Sequence, residues 1–386
     1  MAVYKIYPTK DSTIYSEYPS MNTGLDQILE ASTYVKNAAG QTSRYLLKFS
    51  QTEINNIFDT YVTSSTITKR NYQVSLRNYA ALVTNLNEDT TLKIYPVSQS
   101  WNMGTGKFGN DPETQNGVTW MFKNSSGSGK WIDGPLSNNT TASYNSAIGG
   151  NGGGTWYTGS TSGLDITQSQ ILSYSDPLDV NVDVTNTVKI WISQSKAISG
   201  GDIPNEGFLV KQTKTVEFIP SESKAQTIRY YSIDTNTIYP PLLDFKFDDY
   251  TWNTGSSTNT ILDNAEAFMS IYNNQNTYFT QSVERFRIAA IPKYPTRTFS
   301  TSSIYTTNYF LPTASYYAIK DSETNEYVIE FDDVYTKISA DSKSSYFDVY
   351  MNGLEPERYY TILIKTTLDG TMNVFDENIN FKVING

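Results

Sequence analysis

Short runs in which apolar and polar residues alternate recur along most of the chain, and this period of two predicts β-strands. The run VYKIYPTKDSTIY at 3–15 alternates in this way, and further strand-like runs are SRYLLKFS at 43–50, EGFLVKQT at 206–213 and TIRYYS at 227–232. Turn residues separate such runs at intervals of roughly 10 to 15 residues, which is typical of sandwiches and barrels. The pattern therefore predicts an all-β protein.

Three segments carry more specific predictions. The apolar residues of QTEINNIFDTYV at 51–62 recur three or four residues apart and predict a short helical turn. The runs NYAALVTNL at 78–86 and TTLKIYPV at 90–97 predict a hairpin joined through NEDT. The run LDVNVDVTNTVKIWIS at 178–193 predicts a regular strand.

The strand pattern divides the chain into two predicted domains. Residues 1–252 form the first, and the strand-poor, glycine-rich stretch 100–163 within it predicts a long inserted loop, mobile or tightly turning. The segment NTGSSTNT at 253–260 predicts a linker. Residues 261–386 carry about six further strand-like runs, and NGLEPERYYTILIKT among them is typical of an immunoglobulin- or fibronectin-like sandwich.

Composition excludes several classes of chemistry. The chain has no cysteine and no histidine, so disulfides, thiolate or imidazole catalysis and Cys/His zinc sites are excluded. A metal ion would have only oxygen ligands, which favours calcium or magnesium. Aromatic residues make up 14% of the chain and suit half-buried strands, which supports the all-β prediction.

The net charge and the hydropathy pattern bear on which partners the chain can have. The net charge is −10, and no basic run is longer than TKR at 68–70, so we expect no nucleic-acid partner. The N-terminal MAVYKIYPTKDSTIY has no apolar core of a secretory signal. No window of about 18 apolar residues predicts a membrane span. We therefore expect synthesis in a cytoplasm and release by lysis.

A series of segments within 1–252 follows the order and spacing of a known module: PTKDSTIY…MNTGLDQILEAS, SRYLLKFS, LKIYPVSQSW…VTW, LDVNVDVTNTVKIWIS, NEGFLVKQ and PPLLDFKF. On these segments the chain resembles the DNRLRE family, a β-sandwich module sometimes classed with carbohydrate-binding modules. The resemblance implies an N-terminal jelly-roll-like β-sandwich. Ser50 ends RYLLKFS where the family commonly has Asp, and the 100–163 loop is long.

The chain as a whole also resembles structural proteins of large tailed bacteriophages, most clearly through RTFSTSSIYTTNY…SSYFDVYMNGLEPERYYTILIKTTLDG. That resemblance implies a virion protein that is synthesised in the host cytoplasm. It would assemble with other virion proteins, and as a homo-oligomer, in the tail, the baseplate or the capsid. Exposed Tyr, Trp and Phe side chains and strand edges would supply the contacts.

Two further hypotheses come from other classes of protein. The first is a carbohydrate-binding adhesin module that recognises a host surface glycan through exposed, coplanar aromatic rings. The second is a polysaccharide depolymerase, which requires a cleft with paired carboxylates or a Tyr/Arg lyase centre. No catalytic motif supports the second, and GNGGG lacks the GKS or GKT of a phosphate loop. We therefore expect no enzymatic activity.

Large aromatic residues in the strand-poor stretch are candidate contacts. Trp101, Phe108 and Trp120 lie among Gly, Asn and Thr and either grip a ligand or pack the loop; we predict packing for the two tryptophans. Four more form the candidate ligand or partner contact, with core packing as the alternative: Trp131, Tyr144, Trp156 and Tyr157. The last two follow GGNGGG, whose backbone could present them outward.

We expect no cofactor, with a calcium ion held by oxygen ligands as the alternative. Weak candidates are Asp11, Asp111, Asp332 and Asp333. The acidic stretch 320–333 lacks the fixed acid positions and the glycine of an EF-hand, so we predict that it forms a solvated strand face.

Overall fold

The computed structural model of the chain describes residues 2–37, 39–63, 70–86, 89–125, 128–131, 140–145, 150–198, 203–217, 225–255, 260–264, 266–295 and 309–386. Strands account for 48% of the chain and helices for 8%. The all-β prediction is therefore confirmed.

The strands up to residue 183 are β1 Ala2–Ile6, β2 Pro8–Tyr15, β3 Ile28–Glu30, β4 Thr33–Lys36, β5 Ala39–Phe49, β6 Tyr72–Asn78, β7 Ala80–Thr84, β8 Thr90–Pro96, β9 Phe122–Ser125, β10 Ser128–Lys130, β11 Thr140–Asn145, β12 Gly150–Tyr157, β13 Ser160–Thr161, β14 Leu164–Asp165, β15 Gln168–Leu172 and β16 Val180–Asp183. The later strands are β17 Phe208–Gln212, β18 Thr227–Tyr231, β19 Leu242–Phe247, β20 Ala267–Ile271, β21 Thr277–Phe279, β22 Val283–Pro292, β23 Ser315–Asp321, β24 Tyr327–Ile329, β25 Ser339–Ala340, β26 Ser345–Tyr350, β27 Tyr359–Leu368 and β28 Thr371–Ile384. The helices are α1 Gln51–Ile57, the π-helical turn Phe58–Val62, α2 Thr185–Ser195 and the 3₁₀ turn Met351–Gly353.

The chain forms two compact units. The larger unit comprises Ile6–Phe58 and Gln73–Asp244, and the smaller unit comprises Met1–Lys5, Asp59–Tyr72 and Phe245–Gly386. The units interleave along the sequence, whereas the sequence predicted consecutive domains joined by a linker at 253–260.

The main sheet of the larger unit has the strand order β15-β8-β17-β5-β2, and β4 pairs with β5. The strand β5 lies in its interior, and Tyr45, Leu46 and Leu47 on it are all inaccessible to solvent. Consecutive side chains of a strand point to opposite faces, so both faces of this sheet are covered at β5. A second sheet has the order β3-β18-β7, and β6 pairs with β16.

The hairpin predicted around NEDT does not form, because its two strands belong to different sheets. The strand β7 pairs with β18, and β8 pairs with β17 and β15. Alternation indicates that a segment is a strand, but it does not name the partner strand. Here pairing with strands distant in sequence replaces the local hairpin.

The predicted strand at 178–193 is also corrected, because it ends at Asp183 and continues as α2. Val184, Val188 and Trp191 follow one face of a helix, while the run from Val188 to Ile192 also fits a period of two. Ile190, Trp191 and Ile192 are all buried, and a helix that is covered on several sides loses the pattern that distinguishes it from a strand.

The helical turn predicted at 51–62 is confirmed by α1. Ser50 is its N-cap, and the Ser50 hydroxyl accepts the N–H of Glu53 at 3.3 Å. Ser is a strong N-cap, so the Ser50 side chain helps to fix the start of α1.

The smaller unit is a β-sandwich. Its sheets have the orders β20-β22-β26-β25 and β21-β28-β27-β23-β24. Phe286 and Phe347 of the first sheet and Tyr317 of the second belong to one buried core, in which the Tyr317 and Phe347 rings stack with centroids 4.2 Å apart. The β-sandwich prediction is confirmed here, while the finer jelly-roll and immunoglobulin/fibronectin-like types stay predictions.

A buried tyrosine at the start of β27 gives the first testable prediction. The Tyr360 hydroxyl donates to the carbonyl of Glu355 at 3.0 Å, and Tyr360 is 1% exposed whereas its neighbour Tyr359 is 52% exposed. We expect Tyr360→Phe to lower the free energy of unfolding by about 1 to 2 kcal/mol, because it removes a largely buried hydrogen bond. Tyr359→Phe is the matched control and should change it little. Denaturant unfolding of wild type and the two variants measures the effect. Equal unfolding midpoints for wild type and Tyr360→Phe would contradict the prediction.

Candidate functional site

Four tryptophans of the larger unit form a buried group, which we call the tryptophan cluster: Trp101, Trp120, Trp131 and Trp156. Their exposed fractions are 0, 1, 2 and 6%, and they share one core with Ile14, Leu46 and Leu209. The indole N–H of Trp101 donates to the carbonyl of Glu206 at 2.9 Å. The prediction that Trp101 and Trp120 anchor the long connection by packing is confirmed.

Arg44 on β5 places a fully buried guanidinium against this cluster. Its Nε and Nη2 donate to the two carboxylate oxygens of Glu217 at 2.8 and 2.7 Å, and Nη1 donates to the carbonyl of Gly153 at 2.6 Å. The guanidinium carbon lies 4.7 Å from the Trp120 ring and 5.4 Å from the Trp156 ring. A buried charge requires such pairing. Arg44 therefore joins β5 to Glu217 and to Gly153 on β12, beside the Trp120 and Trp156 rings.

The described part of the glycine run belongs to β12 and packs tightly. A Cβ at Gly152 would lie 2.5 Å from the Trp120 carbonyl oxygen, and a Cβ at Gly153 would lie 2.4 Å from Arg44 Nη1. Gly153 also has a φ of 78°, which glycine adopts without strain. Glycine therefore allows β12 to approach the cluster closely. The prediction of a strand-poor loop at 100–163 is wrong, because this stretch contains the strands β9 to β13.

The predicted contact residues do not form an exposed row. Trp131 and Trp156 are buried, so the packing alternative describes their side chains. The side chain of Tyr157 is half-buried, and burial raises its pKa, with a smaller contribution from Glu206. The side chain of Tyr144 lies outside the described residues. A contact role for Tyr157 stays a prediction.

Asn22 fixes the connection that carries Phe108. Its side-chain NH₂ donates to the carbonyls of Met103 and Val118 at 2.7 and 2.8 Å, and its Oδ1 accepts the N–H of Gly106 at 2.8 Å. A Cβ at Gly106 would lie 2.1 Å from the Asn22 carbonyl oxygen. Asn22 is fully buried, so its hydrogen bonds hold both ends of the 103–118 segment in place.

The segment presents Phe108 at the rim of a cavity. The Phe108 ring is 53% exposed, and its centroid lies 5.1 Å from the Tyr15 ring and 5.7 Å from the Tyr18 ring. The cavity has a volume of about 600 Å³, and its wall includes β-strand residues of β3, β4 and β18. We call it the tyrosine cavity, after the aromatic residues that line it: Tyr15, Tyr18, Tyr34 and Phe108.

Ion pairs and hydrogen bonds order the polar wall of the tyrosine cavity. The Arg229 Nε donates to Glu30 Oε2 at 3.0 Å. Glu17 pairs with the ammonium group of Lys36. Both carboxylate oxygens of Asp26 lie 3.1 Å from the backbone nitrogen of Phe108 and accept its N–H. The wall therefore combines donors and acceptors of both charges.

Burial also changes the acidity of the wall residues. Burial raises the pKa of Tyr15 well above its usual range, and the nearby Glu30 carboxylate adds to this effect. Burial and the Glu17 carboxylate raise the pKa of Tyr34. Burial raises the pKa of Asp26, although the Phe108 N–H and Lys107 oppose the shift. Each of these shifts favours the protonated form of the side chain.

Each calcium candidate has its own surroundings in the structure. Asp11 is 1% exposed, accepts the N–H of Ile233 at 2.7 Å, and has a pKa that burial raises to about 7. Asp111 is exposed. Asp332 accepts two backbone N–H groups of its own turn, and Asp333 lies 3.8 Å from the Lys365 ammonium. Within the described ranges, no group of three acidic side chains is placed to hold a metal ion, and calcium binding stays a prediction.

The smaller unit has a second candidate feature, a series of exposed apolar side chains on or near the edge strands β20 and β21, with Val283 at the start of β22. The strands β20 and β21 end their sheets, and a short connection joins them. We call the exposed set the edge surface: Phe268, Tyr272, Phe279 and Val283, which are 50, 57, 56 and 48% exposed.

Comparisons with known proteins add no assignment. No protein-family model matches the sequence, and no curated protein matches it either. The DNRLRE resemblance therefore stays a prediction. Across the parts of the chain that the structure describes, no helix is long and apolar enough to cross a membrane.

The sequence pattern did not predict most of the residues that line the tyrosine cavity. It singled out Phe108 but named none of the three tyrosines or Arg229. A signal was present in IYSEYPS, where Tyr15, Glu17 and Tyr18 lie together at the end of a strand. The contribution of β18 had no such signal, because Arg229 reaches Glu30 across 199 positions of sequence.

Lys211 gives a prediction for the pH dependence of stability. Burial, assisted by the Arg44 charge, lowers the Lys211 pKa from 10.5 to about 8. Between these pH values the unfolded chain binds more protons than the folded chain, so the Lys211 contribution to stability rises with pH. We expect Lys211→Met to remove a rise of roughly 2 kcal/mol between about pH 8 and pH 10.

Denaturant unfolding across this pH window measures the effect. Lys214→Met is the matched control, because Lys214 is exposed, and it should keep the wild-type slope. The prediction fails if Lys211→Met and wild type show the same pH dependence.

Proposed function

We propose that this chain is a structural protein of a tailed-bacteriophage virion, located in the tail, in the baseplate or on the capsid, and that it acts by protein–protein assembly. The observation that carries this proposal is the edge surface. Exposed apolar side chains on ordinary protein surfaces are scattered. These four lie within the 16 residues that follow Ala267, on or near the edge strands β20 and β21.

The edge surface has the properties of an assembly contact. Aromatic side chains supply rigid contact area, and they are enriched in protein interfaces. An outer strand of a sheet presents backbone groups that a strand of another chain can pair with. A second copy of this chain, or another virion protein made in the same host cytoplasm, would cover the Phe268 and Phe279 rings.

We propose that the larger unit is a jelly-roll-like sandwich and the smaller unit an immunoglobulin/fibronectin-like sandwich. Such sandwiches supply rigid frames whose edges and loops remain available for contacts. The adhesin alternative loses the support of Trp131 and Trp156, because both side chains are packed inside the larger unit.

Self-association of the full chain tests the edge surface. We expect the wild-type chain to form a defined oligomer in sedimentation velocity at micromolar concentrations. The double variant Phe268→Asp/Phe279→Asp should shift it toward monomer, because charge and lost apolar area oppose the contact.

The matched control is Met372→Asp/Val374→Asp, which changes two apolar side chains that are 61 and 55% exposed on β28 of the same unit. This control should retain the oligomer. A wild-type chain that stays monomeric at every concentration, or a control that dissociates as fully as the edge variant, would refute self-association through the edge surface.

A further inference from the structure

We propose that the tyrosine cavity of the larger unit binds a quaternary ammonium ion, in which the nitrogen carries four carbon substituents and no N–H group. The site is separate from the proposed assembly contact, because it contains no residue of the edge surface. Three features carry the proposal: the steep angles between the aromatic rings, a cation that already lies over one of them, and the burial of the carboxylates relative to their cationic partners.

The aromatic rings that line the cavity are steeply inclined to one another. The plane of the Phe108 ring makes an angle of 58° with the Tyr15 ring and of 90° with the Tyr18 ring. The face of an aromatic ring carries partial negative charge, and rings at steep angles can turn several faces toward one cation. Cages of aromatic rings are a known means of binding quaternary ammonium groups.

One of these rings already lies beside a cation. The Lys36 ammonium nitrogen is 5.4 Å from the centroid of the Tyr18 ring and also pairs with the Glu17 carboxylate. A cation within about 6 Å of a ring centroid is attracted by the ring. The chain itself therefore places a positive charge against an aromatic ring of this cavity.

The carboxylates of the wall are buried, whereas their cationic partners reach the solvent. The side chains of Glu17 and Glu30 are 11 and 10% exposed. Their partners Lys36 and Arg229 are 51 and 44% exposed. Exposed charges are screened by water and salt more strongly than buried ones, so the potential inside the cavity is negative and favours a cationic ligand.

The acidity of Tyr15 agrees with a negative potential. Burial is the main reason why the pKa of Tyr15 lies well above its usual range, and the Glu30 and Asp26 carboxylates raise it further. The Arg229 charge opposes the shift, but its effect is smaller than that of either carboxylate. A negative potential disfavours the tyrosinate anion for the same reason that it favours a bound cation.

The existing bonds of the wall favour a cation without N–H groups. A primary ammonium group has three donors and would compete with Lys36 and Arg229 for the carboxylate oxygens. Both oxygens of Asp26 already accept the N–H of Phe108. A quaternary ammonium ion requires aromatic faces and nearby negative charge but no acceptor, so these bonds can persist. The cavity volume of about 600 Å³ lies within the usual range for ligand pockets and leaves room for the rest of the molecule.

Ligand-observed NMR titration of the full chain tests the proposal with three small alcohols. Choline carries the quaternary ammonium group, dimethylbutanol has carbon in place of its nitrogen, and ethanolamine carries a primary ammonium group instead. We expect choline to bind about fivefold or more tightly than the other two, because it alone is a cation without N–H donors. Phosphocholine, titrated in parallel, distinguishes the two sources of this group: tighter binding than choline indicates a phosphate-linked headgroup, and weaker binding indicates the free cation.

Phe108→Leu tests the aromatic wall, because leucine keeps an apolar side chain but has no ring. This variant should lose the preference for choline over dimethylbutanol. Tyr294→Leu is the matched control, since Tyr294 is a 72% exposed aromatic residue of the smaller unit, and it should keep the preference. If Phe108→Leu does not fold, Tyr18→Leu replaces it with the same expected loss.

The proposal is overturned if choline does not bind at millimolar concentrations. It is also overturned if dimethylbutanol or ethanolamine binds as tightly as choline, or if the preference for choline survives removal of the ring. None of these results bears on the oligomer formed through the edge surface.

Discussion

The buried guanidinium of Arg44 is the constraint on which the architecture of the larger unit depends. A charge without access to water is stable only with full pairing, and Glu217 and the Gly153 carbonyl supply that pairing. The strand β12 must therefore come within hydrogen-bonding distance of β5, which leaves no room for a Cβ at Gly153. The tryptophan rings close around this ion pair. These large rings exclude water from the buried charge. Large aromatic residues in a polar segment can therefore be core residues and need not be ligand contacts.

The sequence predicts the class of the fold because short strand-like runs, some alternating and some continuously apolar, recur between turn residues along most of the chain. It fails where the physical signal is ambiguous. In α2 the consecutive burial of Ile190, Trp191 and Ile192 satisfies both a helix and a strand. The partners of β7 are set by contacts with β18, more than 140 positions away. Such long-range pairing is decided by the fit of whole surfaces, and local sequence carries no record of it.

In the candidate site, too, the sequence could group only residues that lie close together along the chain. Tyr15, Glu17 and Tyr18 could be grouped from their spacing, because they lie at one strand end. The position of Phe108 could not, since the hydrogen bond that places its segment joins Asn22 to Gly106 across 84 positions. The prediction of a ligand role went to Trp131 and Trp156 because a large aromatic residue beside glycine suggests exposure. Exposure is decided by the packing of the folded chain: the Arg44 guanidinium lies against the Trp156 ring, and the Trp131 indole donates to the Thr119 carbonyl at 3.1 Å.

The two sets of exposed aromatic residues differ in the kind of partner they fit. Phe108 lies at the rim of a concave site, with tyrosine rings behind it and paired charges around it, so a small polar molecule can be surrounded there. Phe268 and Phe279 belong to strands at sheet edges and are 50 and 56% exposed. An open edge buries a ring only when another macromolecule covers it. Because each unit packs its own aromatic core, substitutions at one set leave the packing of the other intact. The proposed assembly contact and the tyrosine cavity belong to different units of the chain, so each can be altered by substitutions in its own unit.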